Sequence, residues 1–239
     1  MRNLAGDAGR WLEISPARFP GWIDSFASRH GGTASDSSVA VVVSSDDVTF
    51  EAPDGTVATC RPPFWEWRAG VSSHARAQAS EVAGEIAAHA TAERSVGVLL
   101  VRLGGFAAGV FTGSPPQLAA SKAGSRLVHG RSAAGGWSQQ RFARRRENQA
   151  AQALQAAAAA AAQVWGGWAD GKGRPVLDVV VLGGDKRAVA EATEDPRLAP
   201  YLDRVTGRFL TVPDPKLAVL RDSPRHFLAV RIRLTEPVT

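Results

Sequence analysis

His129 to Arg146 reads HGRSAAGGWSQQRFARRR, a glycine turn that hands over to a strongly basic helix start, and the elements on either side of it decide how the second half of the chain folds. From Lys122 to Arg146 the sequence holds Lys122, Arg126, Arg131, Arg141, Arg144, Arg145 and Arg146 and no acidic residue, so this segment carries more positive charge than the net +5 of the whole protein. Charge this concentrated predicts a polyanionic partner. Gly135 and Gly136 open conformations with positive φ and let the backbone approach a ligand closely. Ser132, Ala133 and Ala134 before them offer no core anchor, so the turn is expected to project into solvent.

Downstream, Ser138 is placed to cap a helix. QQRFARRRENQAAQALQAAAAAAAQVW contains no glycine or proline and is rich in good helix formers. About 27 residues at 1.5 Å each extend ~40 Å. The seven alanines from Ala156 to Ala162 give a thin surface that can lie close against a sheet, with Phe142, Leu154, Val164 and Trp165 as packing residues. Gly166-Gly167 and the glycines at 171 and 173 stop it. Upstream, SVGVLLVRLGG and FAAGVFTGS read as a hairpin around Gly104-Gly105, and QLAASKAGSRLVHG is a third strand leading into the glycine turn. After the helix, VLDVVVLGG (Val176–Gly184) is a continuous apolar run, as for a strand covered on both faces. Asp185 opens a helix over about 186–193, Arg208–Val212 is a strand, a helix starts at Asp214-Pro215, and HFLAVRIRLTE closes the chain as an alternating strand. The order β-β-β-α-β-α-β-α-β predicts a mixed sheet flanked by helices over residues 94–239.

Residues 1–93 predict an N-terminal α+β subdomain. Ser15-Pro16 marks a helix start, with Phe19, Trp22, Ile23 and Phe26 at helical spacing. Val39–Ser45 and Val48–Ala52 form a hairpin about Asp46-Asp47, Thr56–Cys60 follows as a third strand, and Arg61-Pro62-Pro63 ends it. Residues 61–93 are a connection with a helix near 80–91. Trp65 and Trp67 within it have two readings, base stacking or packing between the two halves, and packing is the commoner use.

With 239 residues and 44% hydrophobic content the chain can bury a real core, and its pI near 10.1 indicates a folded protein with a localised basic surface. Nucleic acid is the leading partner class. Cys60 is the single cysteine, which excludes an intrachain disulfide and a thiol-rich metal site and fits a reducing cytosol. Asp178 and Asp185 near strand ends do not make a metal cluster, so no metal or cofactor is expected. The N-terminus lacks the apolar core of a signal peptide and nothing reads as a membrane span. A cytoplasmic monomer is expected.

Gly135-Gly136, Ser138 and Arg141-Phe142-Ala143-Arg144, opening a long helix after a three-stranded meander, resemble the central domain of archaeal and eukaryotic class-one release factors. Their loop contains Gly-Gly-Gln and continues Ser-x-x-Arg-Phe-x-Arg. Trp137 stands here at the position of that glutamine, and a glutamine follows Trp-Ser as Gln139. That arrangement is similar to the Vms-type (VLRF) relatives, whose loop reads Gly-x-Ser-Gln, and most of all to their actinobacterial branch. The resemblance implies an RNase H-like fold, the ribosome or its large subunit and peptidyl-tRNA as partners, and codon-independent release of the nascent peptide.

Hydrolysis of the ester that links a peptide to the tRNA ribose requires a positioned water and donors for the developing oxyanion. A neutral amide orients water and a glycine-flanked backbone N–H donates to the oxyanion, which selects Gln139, with Gly135, Gly136 and Ser138 shaping the loop and Gln140 substituting for or assisting Gln139. Lys122, Arg126, Arg131, Arg141, Arg144, Arg145 and Arg146 would hold phosphates without reading sequence. A solvated helix face paired with Glu147 is the alternative for the arginines, but three adjacent guanidinium groups cannot share one carboxylate. His129 is either a proton donor or, more commonly for such a residue, another phosphate contact. Trp137 either stacks on a base or ribose at the tRNA end or serves as a docking or fold-back anchor. Two other activities remain open: endonucleolytic cleavage of the tRNA 3′ end, and a non-catalytic ribosome- or RNA-binding module.

Overall fold

Two kinds of apolar pattern build two kinds of sheet in the structure, a computed structural model that describes residues 10–64, 78–102, 105–125, 138–170 and 176–237 and, in the long helix of the second sheet, side chains from residue 149 onward. The first unit comprises the described residues up to Ala92 together with those from Arg225 on, and the second runs from Glu93 to Pro224. The chain therefore passes from one unit to the other twice.

The first unit contains β1 (Arg10–Ile14), α1 (Phe19–Arg29), β2 (Ala40–Val43), β3 (Val48–Glu51), β4 (Val57–Arg61), α2 (Ala79–Thr91) and the closing strand β10 (Val230–Thr235). Its sheet has the order β1-β10-β4-β3-β2, antiparallel throughout. Every second residue faces the helices: Val48, Phe50, Ala58, Cys60, Val230 and Ile232 pack against Phe19, Ile23 and Phe26 of α1 and Val82 and Ile86 of α2. The expected hairpin about Asp46-Asp47 is present, with Val43 opposite Val48. Trp22, the fourth residue of the expected helical stripe, is half-buried and stacks on Phe26 at 5.6 Å between centroids. Cys60 is fully buried, and that burial pushes its thiol pKa up, which makes it an unreactive core residue. Trp65 and Trp67 lie outside the described residues.

Two strands correct the sequence-based expectation. β1 occupies residues read only as the approach to a helix. The closing strand, placed above in the second half with residues 94–239, pairs instead with β1 and β4, so residues from Arg225 on belong to the first unit. The physical reason is its alternation. Val230 and Ile232 point into the core while Arg231 and Arg233 point away, the pattern of a sheet covered on one face.

The second unit contains β5 (Val96–Arg102), β6 (Gly105–Thr112), β7 (Gln117–Ser125), α3 (Ser138–Gly166), β8 (Val179–Gly184), α4 (Lys186–Thr193), α5 (Ala199–Leu202), β9 (Val205–Leu210) and α6 (Leu217–Asp222). The sheet order β7-β6-β5-β8-β9, with β6 antiparallel to its neighbours and β5, β8 and β9 parallel, is the RNase H-like arrangement. It has five strands rather than the six expected, because β10 has left it. The β5–β6 hairpin forms with Arg102 opposite Gly105 as its last pair. β5 and β8 are buried on both faces, as their unbroken valine and leucine runs require. Against β5 and β6, α3 buries Leu154, Ala157, Ala158, Ala161, Val164 and Trp165 at helical spacing. Among the described residues no helix is long and apolar enough to cross a membrane.

The carboxyl end of β8 is sterically fixed. Gly184 has φ +109°, and a Cβ there would run into the backbone of Val101 on β5. Gly184→Ala should therefore lower stability by at least about 2 kcal/mol, read as a lower urea midpoint. Gly166→Ala, at the end of α3 with open space around it, should be neutral or slightly stabilising.

Candidate functional site

β7 runs parallel to β5 because β6 reverses direction between them, so β5, β7, β8 and β9 all end at the same edge of the sheet. The glycine segment leaves β7 after Ser125, beside Gly105 and Arg102, and the chain is described again at Ser138, the first residue of α3. The candidate loop thus issues from the carboxyl edge of the parallel strands, where α/β sheets commonly bind ligands. Arg126, His129, Arg131, Gly135, Gly136 and Trp137 lie outside the described residues. Ser138, Gln139, Gln140, Arg141, Arg144, Arg145 and Arg146 are among the first nine residues of α3 with helical backbone, and their side chains lie outside what is described. Lys122 is exposed on β7, and its Nζ donates to Oε1 of Gln163 on α3 at 2.6 Å. Sequence reasoning had assigned Lys122 only to phosphate. The bond adds a link between strand and helix that no local motif announces.

The buried residues of α3 among those described begin at Leu154, sixteen residues after Ser138 and ~24 Å along the helix at 1.5 Å per residue. At the far end Trp165 is fully buried and its Nε1 donates to the Gly109 carbonyl at 3.3 Å. A Cβ on Gly97 would collide with Leu177 and crowd the Trp165 ring, so this glycine keeps the sheet surface low where α3 lies. These residues seat the carboxyl half of α3 on its sheet.

Electrostatics at that start are unusual for a stable helix. Its first backbone N–H groups have no acceptor within the helix, its N-terminus carries about half a positive charge, and basic residues there are unfavourable by ~0.3–1 kcal/mol each. Yet the first turn contains Arg141 and no acidic residue, and Arg144, Arg145 and Arg146 follow. An anion relieves both the unpaired amides and the guanidinium groups.

Several other charged groups of this unit have structural partners. At the loop's edge of the sheet, the Arg102 guanidinium donates to the Val212 carbonyl at 2.9 Å and lies 4.0 Å from Asp214. Asp185 caps α4 by accepting from the Ala188 N–H at 2.9 Å. Asp178, at the opposite end of β8, accepts from the Ser95 N–H at 2.7 Å and its hydroxyl at 2.8 Å, which ties the starts of β5 and β8 together. Among the described residues no group of three or more potential metal-ligating side chains gathers.

The family model for the Actinobacteria/chloroflexi VLRF1 release factor matches residues 94–233, which spans the second unit and runs on into β10. Comparison with curated protein sequences gives no match. Among solved structures, the archaeal translation termination factor aRF1 is similar at 14% identity with a TM-score of 0.41, over 75% of this chain and 51% of that one. The Vms1 mitochondrial localization core is similar at 10% identity with a TM-score of 0.37, over 82% and 78%. The chain spans about half the length of the archaeal termination factor.

Asp178→Ala should cost about 1 kcal/mol through the lost acceptor for Ser95, measured by urea unfolding. It should leave RNA binding unchanged, since both interactions it loses lie within the fold.

Proposed function

The chain belongs to the VLRF1 release-factor family of Actinobacteria and Chloroflexi, and from that premise we propose that it frees nascent peptides from peptidyl-tRNA on stalled ribosomes or large subunits by ester hydrolysis, without reading a codon. The work would be done in the cytoplasm, with RNA of the large subunit and the tRNA as its contacts. One observation carries this reading: the glycine segment delivers Gln139 as the second residue of a helix whose opening residues are basic, without an acid in the first turn.

Chemically, a water attacks the ester carbonyl carbon, charge builds on the carbonyl oxygen, and the ester C–O bond breaks to release the ribose hydroxyl. The amide of Gln139 orients the water, accepting from one of its hydrogens. Backbone N–H groups at the start of α3, which have no acceptor inside the helix, are suited to the oxyanion. Gly135 and Gly136 give the approach its room, with Ser138 and Gln140 on either side of Gln139. Arg141, Arg144, Arg145 and Arg146, with Arg126, Arg131, His129 and Lys122, hold phosphates around the loop and fix its position rather than the sequence read. Trp137 is assigned to stacking at the tRNA end. Lys122 keeps its bond to Gln163 in this scheme and contributes from the exposed side of β7.

In a peptide-release assay on stalled ribosomes or isolated large subunits, Gln139→Ala should lower the release rate by roughly 10²–10³-fold, the usual loss for a group that stabilises an acyl-transfer transition state. Binding to the particle should be retained. Unchanged release by this variant would remove Gln139 from the mechanism. The tRNA product should keep its full 3′ end; a shortened tRNA identifies endonucleolytic cleavage instead, and binding without either product identifies a non-catalytic module.

A further inference from the structure

We propose that the face of the first sheet opposite α1 and α2 is a second RNA-binding surface, on which Arg61 and Arg231, gathered over the ring of Trp11, grip the sugar-phosphate backbone. The helices α1 and α2 cover the other face. Register places the side chains of this one: Glu13, Arg231 and Arg61 form one row across β1, β10 and β4, and Trp11, Arg233, Thr59, Thr49 and Val42 form the next. On it Val42 is 61% and Trp11 38% exposed, Arg61 is exposed and Arg231 is part-buried.

Arg231 and Arg61 stand directly opposite each other on neighbouring antiparallel strands. Like charges in that position destabilise a sheet. The guanidinium of Arg231 lies 4.8 Å from the centroid of the Trp11 ring and that of Arg61 lies 5.7 Å from it, so one indole draws both cations to the same spot. Compensation is incomplete. Glu13 reaches Nε of Arg231 at 3.9 Å and also faces His226 Nδ1 at 3.5 Å, while Arg61 makes no ion pair among the described residues. Glu51 is the other acid on this face, a further row away and opposite Val57. A phosphate bridging Arg61 and Arg231 relieves their repulsion with charge-assisted bonds of the kind guanidinium groups form best.

RNA fits better than an acidic protein segment. The half-exposed indole and the guanidinium planes on it present flat surfaces on which bases stack, which an acidic side chain has no means to use, and Thr49 and Thr59 add hydroxyl groups alongside. This site lies on the first unit and stands apart from the reading of the glycine loop.

The test is fluorescence anisotropy with a labelled single-stranded RNA of mixed sequence, across a series of salt concentrations, using the full chain. Arg61→Gln with Arg231→Gln should weaken binding about tenfold and lower the slope of log affinity against log salt by about 1.4, about 0.7 for each lost phosphate contact. Arg61→Lys with Arg231→Lys should restore the slope while recovering only part of the affinity, which separates charge from a folding defect. Arg29→Gln, on α1, should change neither quantity. Unchanged affinity and slope in the glutamine pair overturn the proposal, as does polyglutamate that displaces the probe as well as unlabelled RNA does. Arg144→Gln, Arg145→Gln and Arg146→Gln made together report on the loop alone. A loss confined to that variant overturns this surface and leaves the proposed function standing; a loss confined to the Arg61 and Arg231 pair supports this surface and counts against the loop as an RNA contact.

Discussion

The seating of α3 on its sheet is the constraint from which the rest of the second unit follows. A helix faced with alanine can approach a sheet closely only if the sheet presents little beneath it, and Gly97 supplies that low ground where Trp165 comes to rest. Close approach also increases the number of dispersion contacts per residue, which compensates for the small apolar area that an alanine buries. Among the described side chains, the buried ones of α3 run from Leu154 to Trp165 and seat that half of the helix on the sheet, with Ser138 sixteen residues before Leu154 on the same helix.

Much of this was legible in the sequence because each pattern favoured one structural solution. Continuous apolar runs such as VGVLLV and VVVL fit a sheet covered on both faces, and over a glycine- and proline-free stretch of nearly thirty residues the placement of Phe142, Leu154, Val164 and Trp165 favours a packed helix over a low-complexity tract. β10 was misplaced for an instructive reason. Its alternation of Val230, Ile232 and Leu234 with Arg231 and Arg233 already marked it as a strand with one dry face, unlike β5 and β8, but sequence order suggested the nearer sheet. Pairing with strands some 170 residues earlier in sequence leaves no local trace. β1 was missed because five residues that abut a helix signal give too short a run for alternation to register. The link from Lys122 to Gln163 was equally invisible, since either residue alone reads as a solvated side chain.

The candidate site divides along the same line. Residue types and spacing named the glycine turn and the basic helix start, and the fold added that the chain leaves β7 at the carboxyl edge of the parallel strands and is described again as the first turn of α3. What spacing could not reveal is that nearby cations are occupied. Arg102 is bound to the Val212 carbonyl, and the Lys186 ammonium sits 6.0 Å from the centroid of the Phe209 ring.

Net charge understates how the protein distributes its arginines. Of 28 basic residues against 23 acidic ones, most could in principle neutralise one another across the surface. Instead the helix start keeps its first turn free of acid, and Arg61 faces Arg231 across a strand pair when an acidic residue at either position would have been the stabilising choice. Both features lower the stability of the isolated chain, and both are relieved by the same kind of ligand. On the proposed reading both clusters meet the same RNA, and the covalent link between their units makes the second contact intramolecular once the first has formed.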